Sequence, residues 1–241
     1  MSVFATLVEQ LADLLRPLFG LSAAAAAIIA FTALVRLLVH PLSRAAARGQ
    51  KARTALQPRI AELRRKHGRN PEKLQKAVLE LHAEEKVSPL SGCLPSLLQL
   101  PAFFLLYHLF SSGTIGGEPN TLLTHQLLDA PLGGRWADAL GDGGVFGGAG
   151  LVYLGLFAVV TVVAYASYRL SRRMTEASAA MAGAGADPQA PGAAAMGGVM
   201  KVMPFMSFFT LVTVAVVPLA AALYVVTSTT WSVIERSVLY R

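Results

Sequence analysis

The sequence predicts an all-α integral membrane protein whose five transmembrane helices surround a hydrophilic groove. Hydrophobic residues make up 54% of its 241 residues and charged residues only 15%, whereas an ordinary soluble domain carries about 25% charged residues. The charge is also segregated, because 12 of the 21 lysines and arginines fall between Arg44 and Lys86. This composition excludes a disordered chain and most water-soluble enzymes, and the single cysteine excludes an internally disulfide-bonded scaffold.

Residues 1–20 are predicted to form a helix that lies in the outer interface of the membrane. Apolar side chains recur there at helical spacing, opposite Glu9 and Asp13, which is typical of a helix lying flat on a membrane surface. The alternative is an N-terminal extension of the first span. The apolar positions are Phe4, Leu7, Val8, Leu11, Leu15 and Leu18.

Four apolar regions account for five membrane crossings. A hydrocarbon core of about 30 Å needs about 20 helical residues, and Leu21–Val39, Leu90–Phe110 and Gly150–Tyr168 each meet that need. The fourth region, Val202–Ile234, has 33 residues, which is too long for one crossing at about 1.5 Å per residue. Pro218 lies at its middle and interrupts a helix there. The predicted spans are residues 21–42, 89–112, 149–169, 202–217 and 218–235.

Residues 43–88 are predicted to form a cytoplasmic helical hairpin. Gly68 can end its first helix and Asn70 can cap the second. Because the apolar stripes are narrow and the charge is heavy, we expect two mobile helices that pack on each other and are otherwise solvated. The hairpin would contact anionic headgroups or incoming chains, or would only set the topology. The stripes are Leu56, Ile60 and Leu63 on the first helix and Leu74, Val78 and Leu81 on the second.

The charge of the connecting segments predicts the orientation. Residues 113–148 form a glycine-rich outer loop in which we predict no chemistry, residues 170–201 a flexible cytoplasmic loop, and residues 236–241 a short cytoplasmic tail. If Arg169 at the end of the third span is counted with the loop that follows it, 18 basic residues fall on one side and 2 on the other, with Arg36 left over inside a span. Cytoplasmic loops carry the excess of lysine and arginine, so the N-terminus is predicted outside and the C-terminus inside.

The sequence contains no catalytic or metal-binding pattern, so we predict no enzyme, no cofactor and no metal site. The five histidines do not fall at ligand spacing with cysteines or carboxylates. No Asp or Glu lies inside the four apolar regions, the last of which ends at Ile234, and this weakens a proton-coupled transporter. Cys93 is expected only to pack. Because the basic residues flank apolar segments, they indicate membrane topology, and no nucleic-acid substrate is predicted.

Arg36 is the most informative polar residue inside a span. An arginine at the centre of a membrane helix costs about 2.5–3.5 kcal/mol on insertion scales. It therefore either lines a wet cavity, beside Thr32 one turn earlier, or extends to the cytoplasmic end one turn away. Polar side chains on the other spans could each form ordinary helix–helix hydrogen bonds, but together with Arg36 they predict a wet cavity with a positive floor. They are Gln99, Tyr107, Thr161, Tyr165, Tyr224, Thr227, Ser228 and Trp231.

Several segments resemble the YidC/Oxa-type membrane protein insertase family, in the same order along the chain. The most specific is Ser88–Pro101, with the sequence SPLSGCLPSLLQLP. The run Arg36–Leu42 resembles the end of the family's first conserved span, and Ala55–Leu63 with Asn70–Gln75 resembles the hairpin that follows it. The remaining matches are Met203-Pro204 and Pro218–Tyr224, which resemble the last two spans.

The resemblance implies an insertase, not an enzyme, in a bacterial plasma membrane. Such a protein moves the polar flanks of nascent membrane proteins through a hydrophilic groove and releases their apolar segments into lipid. In that family an arginine matching Arg36 lines the groove, with a polar residue matching Thr32 beside it. The implied partners are small or single-span nascent proteins and the lipid bilayer, with the Sec translocon and the ribosome left open.

The short, Gram-positive-like bacterial form is the closer comparison within the family. Val225 stands where many relatives have a second aromatic residue after the one matching Tyr224, and Trp231 on the same face could substitute for that contact. Two alternatives remain open from the residues alone: a small-solute channel or transporter, and a non-catalytic membrane assembly factor. A pore sealed from lipid would favour the channel.

Overall fold

The computed structural model describes residues 2–67, 70–85, 94–182 and 203–239. The predicted helix end at Gly68, the packing role of Cys93 and the side chain of Gln99 lie outside this description, as does most of the predicted 170–201 loop. Within the described residues the all-α prediction is confirmed. The only strands there are two short antiparallel pairs, Thr114–Ile115 with Glu118–Pro119 and Gln126–Leu127 with Ala130–Pro131.

Nine α-helices account for most of the described chain. Short 3-10 segments at Gly20–Ser22, Thr121–Thr124 and Met203–Phe208 connect or extend them. The helices are α1 (Ser2–Phe19), α2 (Ala23–Ala55), α3 (Gln57–His67), α4 (Pro71–Glu84), α5 (Leu94–Ser111), α6 (Trp136–Gly141), α7 (Gly148–Ala182), α8 (Phe209–Val216) and α9 (Leu219–Leu239).

Two helical stretches in the described residues are long and apolar enough to cross a membrane. They are Val3–Ala52, which includes α1 and α2, and Gly148–Glu176 in α7. Phe205–Val216 is a shorter apolar helix. These stretches are consistent with a membrane protein, and the count of five spans stays a prediction.

A turn at Gly20 separates α1 from α2. Gly20 has a φ of +54°, a left-handed conformation that glycine adopts without steric cost. On α1, Val8 and Ala12 are buried against the core while Leu18 stays 78% exposed. Helix α1 is therefore a distinct helix with one face on the protein and a second apolar face free, and its place at the membrane surface stays a prediction.

Helix α2 continues through Pro41 to Ala55, 13 residues beyond the predicted end of the first span at residue 42. A proline removes one backbone donor and usually kinks a helix, but here the helix resumes after it. Helix α7 likewise runs for 35 residues to Ala182, past the predicted end of its span at residue 169. An ion pair of 2.6 Å between Arg172 and Glu176 supports this extension, because oppositely charged residues four apart stabilise a helix.

Helices α3 and α4 form the hairpin that follows α2. Leu56, Ile60 and Leu81 are buried in a separate small core, and the side chain of Asn70 caps α4 by accepting from the Lys73 N–H at 3.1 Å. The expectation that the hairpin is otherwise solvated is wrong, because α3 also packs against α7.

The outer loop is folded, although its glycine-rich sequence shows little periodicity. Its Leu132 is fully buried. The backbone carbonyls of Leu132 and Gly134 accept from the N–H groups of Ala220 and Leu219 at 2.8 and 2.9 Å. These bonds satisfy donors at the N-terminus of α9 that have no partner within the helix. The loop thus covers the end of the helix bundle at which α9 begins, and its location outside the membrane stays a prediction.

Candidate functional site

The centre of the candidate site is a contact between α2 and α9. Arg36 on α2 donates from Nε to the hydroxyl oxygen of Ser228 on α9 at 3.0 Å, and its Nη2 donates to the same oxygen. Ser228 is 6% exposed, and Arg36 is half-buried. The side chain therefore packs between two helices, and its partner is a neutral hydroxyl.

A second contact joins the same two helices one turn further along α2. His40 Nδ1 lies 2.6 Å from Glu235 Oε1. Because a carboxylate only accepts hydrogen bonds, the imidazole is the donor. The Glu235 side chain is 11% exposed and that of His40 39%. The sequence analysis set His40 aside and did not consider Glu235, although the spacing of Arg36 and His40 places them on one helix face.

The order of these contacts shows that α2 and α9 run parallel. As α2 advances from Arg36 to His40, its partner on α9 advances from Ser228 to Glu235. Two parallel helices that both cross a membrane require an odd number of crossings between them.

Tyr107 and Tyr224 are predicted groove residues, and both contact Phe103, which the sequence analysis missed. Tyr224 is 2% exposed, and its ring centroid lies 6.0 Å from those of Phe103 and Phe110 on α5. Phe103 in turn stacks on Tyr107 with centroids 5.8 Å apart. This cluster packs α5 against α9 next to the Arg36 contact. The sequence could have indicated this cluster, because Phe103, Tyr107 and Phe110 follow one another at intervals of about one helical turn.

Two predicted groove residues, Thr32 and Thr161, form hydrogen bonds within their own helices. Thr32 is 1% exposed and donates to the Ile28 carbonyl at 2.6 Å. Thr161 is exposed and donates to the Phe157 carbonyl at 2.7 Å. A hydroxyl in a helix commonly donates its hydrogen bond to the carbonyl four residues earlier. The hydroxyl hydrogen is then not available to a substrate in a groove. Thr32 is thus buried with its hydroxyl bonded within α2, and its place in a groove stays a prediction.

The remaining predicted residues lie on two different helices, α7 and α9. Tyr165 is 54% exposed on α7, with the Arg169 guanidinium 6.0 Å from its ring centroid. Thr227 and Trp231 are half-buried on α9, on either side of Ser228 in sequence. The structure therefore supports a smaller constellation than predicted, which is centred on α2, α5 and α9.

A cavity of about 740 Å³ opens elsewhere, between α1 and the outer loop. Its polar lining includes Glu9, Asp13, Arg16 and His125. None of the predicted groove residues lines it. The cavity therefore does not represent the predicted groove, which stays a proposal.

Comparison with known proteins identifies the family. The model of the family described as "60Kd inner membrane protein" matches residues 15–241, which include α2, α9 and every residue of the Arg36 constellation. The chain belongs to this family. The resemblance to YidC/Oxa-type proteins that the sequence motifs indicated is thereby confirmed.

Curated relatives in this family carry the name "Membrane protein insertase YidC". The protein from Clostridium perfringens is 44% identical over 87 residues, which are 36% of this chain and 37% of that relative. The protein from Anaeromyxobacter sp. is 46% identical over 81 residues, 34% of this chain and 15% of the relative. The protein from Polynucleobacter asymbioticus is 39% identical over 101 residues, which are 42% of this chain and 18% of that relative. The aligned segments thus span well under two thirds of these relatives.

Proposed function

We propose that this protein is a membrane protein insertase, which moves the polar flank of a nascent membrane protein partway across the bilayer and then releases the apolar segment into lipid. Membership of a family whose relatives are named insertases supports this function. The observation that carries it is Arg36, a half-buried cation in an apolar helix whose hydrogen-bond partner is the neutral hydroxyl of Ser228.

The problem that such a protein solves is energetic. A polar flank in hydrocarbon loses the hydrogen bonds that water gives to its backbone and charges, at several kcal/mol for each group. Polar and cationic groups placed at membrane depth replace part of that hydration. No covalent step is needed for this mechanism.

Arg36 has hydrogen-bonding capacity left for a substrate. A guanidinium has five N–H donors, and two of them go to Ser228. Within the described residues, the other three have no protein acceptor. An acidic group about 4 Å away at an effective dielectric of about 20 would gain about 4 kcal/mol before desolvation. Arg36 would therefore attract acidic flanks most strongly.

The surroundings of Arg36 support lateral release. Its neighbours Leu34, Leu37 and Leu38 are 54%, 59% and 71% exposed, so the described residues do not cover the apolar face of α2 beside the arginine. A substrate segment leaving Arg36 would meet this face and the surrounding lipid. Burial of its own apolar surface would drive that step. The eight-residue α8 is short for a span, and a short span thins the bilayer locally.

The topology is part of the proposal. Five spans with the N-terminus outside and the C-terminus in the cytoplasm agree with the parallel course of α2 and α9. The hairpin of α3 and α4 would then lie in the cytoplasm of a bacterium, where it can meet incoming chains. The Sec translocon and the ribosome are candidate partners on that side.

Reconstitution in liposomes tests the function. Purified protein should protect the translocated flank of a small single-span substrate from external protease, whereas protein-free liposomes should not. A fluorescent small solute trapped in the same vesicles serves as control and should stay inside. Equal protection in protein-free liposomes would contradict the insertase function, and solute release without insertion would indicate a channel.

A further inference from the structure

We propose, on the basis of the insertase function above, that Glu235 is the internal counter-anion of Arg36 and sets how strongly the site prefers acidic substrate flanks. The sequence analysis treated Arg36 as a cation without an acid. The structure instead places a carboxylate on the neighbouring helix α9, about two turns beyond Ser228, where His40 contacts it.

Three observations define the position of Glu235. Arg36 and His40 lie four residues apart on α2, so their side chains share a face. His40 binds Glu235 at 2.6 Å, and the 11% exposure of Glu235 shields its charge from water. The carboxylate is consequently held on the side of α2 that carries the guanidinium. Glu235 and Arg36 also attract each other electrostatically, while the neighbouring Arg236 opposes that attraction.

Glu235 reduces the positive charge at the site without occupying it. The hydrogen bonds of Arg36 in the described part of the chain go to Ser228 and not to Glu235, so the free guanidinium donors stay open to a substrate. The Arg36 guanidinium nevertheless interacts with the Glu235 carboxylate, so an incoming substrate carboxylate meets a smaller net positive charge. The advantage of an acidic flank over a neutral flank is therefore smaller than Arg36 alone would give.

This role differs from that of a structural clamp between α2 and α9. A glutamine at position 235 keeps the size of the side chain and an acceptor for the His40 N–H, but removes the negative charge. A clamp would respond to the altered His40–Glu235 contact by weakening insertion of every substrate alike. A counter-anion would change the ratio between acidic and neutral substrates.

The test compares insertion of one single-span substrate with an acidic flank and the same substrate with that flank neutralised, at limiting protein. For Glu235→Gln we expect the acidic-to-neutral ratio to rise roughly two- to fivefold, the range of a partly screened charge. Glu235→Asp should keep the original ratio. Glu176→Gln is the matched control, because it removes an acid that pairs with Arg172 on α7, and it should leave the ratio unchanged. An unchanged ratio in Glu235→Gln would overturn the proposal.

Arg36→Leu separates this inference from the proposed function. If Arg36→Leu lowers the ratio and Glu235→Gln does not change it, Arg36 acts on substrates and only the counter-anion role is wrong. If Arg36→Leu changes neither insertion nor ratio, the proposed role of Arg36 fails and that of Glu235 fails with it. In the double variant that carries Arg36→Leu and Glu235→Gln, the acidic-to-neutral ratio should equal that of Arg36→Leu alone. A higher ratio in the double variant would show that Glu235 acts without Arg36 and would overturn the proposal.

Discussion

Arg36 and Ser228, 192 positions apart in the chain, share a hydrogen bond of 3.0 Å between helices α2 and α9. The contact brings together two parts of the chain that local sequence patterns do not connect. It gives the arginine a place in a helix interface without neutralising it. A cation arranged in this way can bind an anion, because no carboxylate in the described part of the chain accepts its hydrogen bonds.

Replacement of Arg36 tests whether that charge acts on substrates. Arg36→Leu should impair insertion, most for acidic flanks, although the protein becomes more hydrophobic and stays folded. Arg36→Lys should restore part of the activity, since it keeps the charge but loses the forked donor geometry. Insertion yields in liposomes measure both effects. Equal, undiminished insertion by all three proteins would eliminate Arg36 as a required residue for these substrates.

Ser228→Ala should destabilise the packing of α2 on α9. The change leaves a half-buried guanidinium without its hydroxyl acceptor, and losing a hydrogen bond to a charged group costs about 1–3 kcal/mol. Thermal unfolding in detergent should show a lower Tm. Ser232→Ala is the matched control, since its hydroxyl bonds only the carbonyl of Ser228 in its own helix at 2.9 Å. A similar loss in both variants would mean that the Arg36 contact is not the cause.

Cysteine labelling tests the topology. Cysteines placed at Ser112 and at Ser178, in a Cys93→Ser background, should react with an impermeant reagent from opposite sides of the membrane. The reason is that Ser112 follows α5 directly, whereas Ser178 lies near the far end of α7 from Gly148. Permeabilised cells provide the control in which both positions react. Labelling from the same side in intact cells would refute the five-span arrangement.

Ile60→Ala tests whether the hairpin folds as a local unit. Ile60 is 7% exposed in the seam between α3 and α4, and removing a buried isoleucine side chain down to alanine costs about 2–5 kcal/mol. Hydrogen exchange should therefore accelerate in α3 and α4. Leu79→Ala, at a position that is 53% exposed on α4, should have little effect. Faster exchange throughout α2, α7 and α9 as well would show that the hairpin supports the whole bundle.

Local chemistry explains why much of the helix order could be predicted from the sequence. The turn at Gly20, the cap at Asn70 and the break at Pro218 each depend on a property of one residue: a permitted positive φ, a side-chain acceptor or a missing donor. The end of the first span, predicted at residue 42, was the exception. Helix α2 continues past it to Ala55, because contacts with neighbouring elements can outweigh a local preference.

The candidate site could be predicted only in part, since polar side chains have more than one possible partner. The sequence identified Arg36, Tyr107, Tyr224 and Ser228, which lie in or beside the observed α2, α5 and α9 contacts. It also grouped Thr32 with them, but that hydroxyl bonds its own helix at Ile28. A pattern of polar positions cannot distinguish a hydroxyl that bonds within its helix from one that faces a neighbour.

By itself, then, the sequence determined the membrane class, the order of most helices and the family to which the chain belongs. These follow from composition, from residues that start or end helices, and from motifs that are contiguous along the chain. Only the tertiary structure decided that Arg36 meets Ser228, that His40 holds Glu235 and that Phe103 connects Tyr107 to Tyr224. The physical reason is that these contacts depend on the rotation and register of α2, α5 and α9 against one another. That arrangement results from packing over the whole bundle and leaves no signal in any one segment.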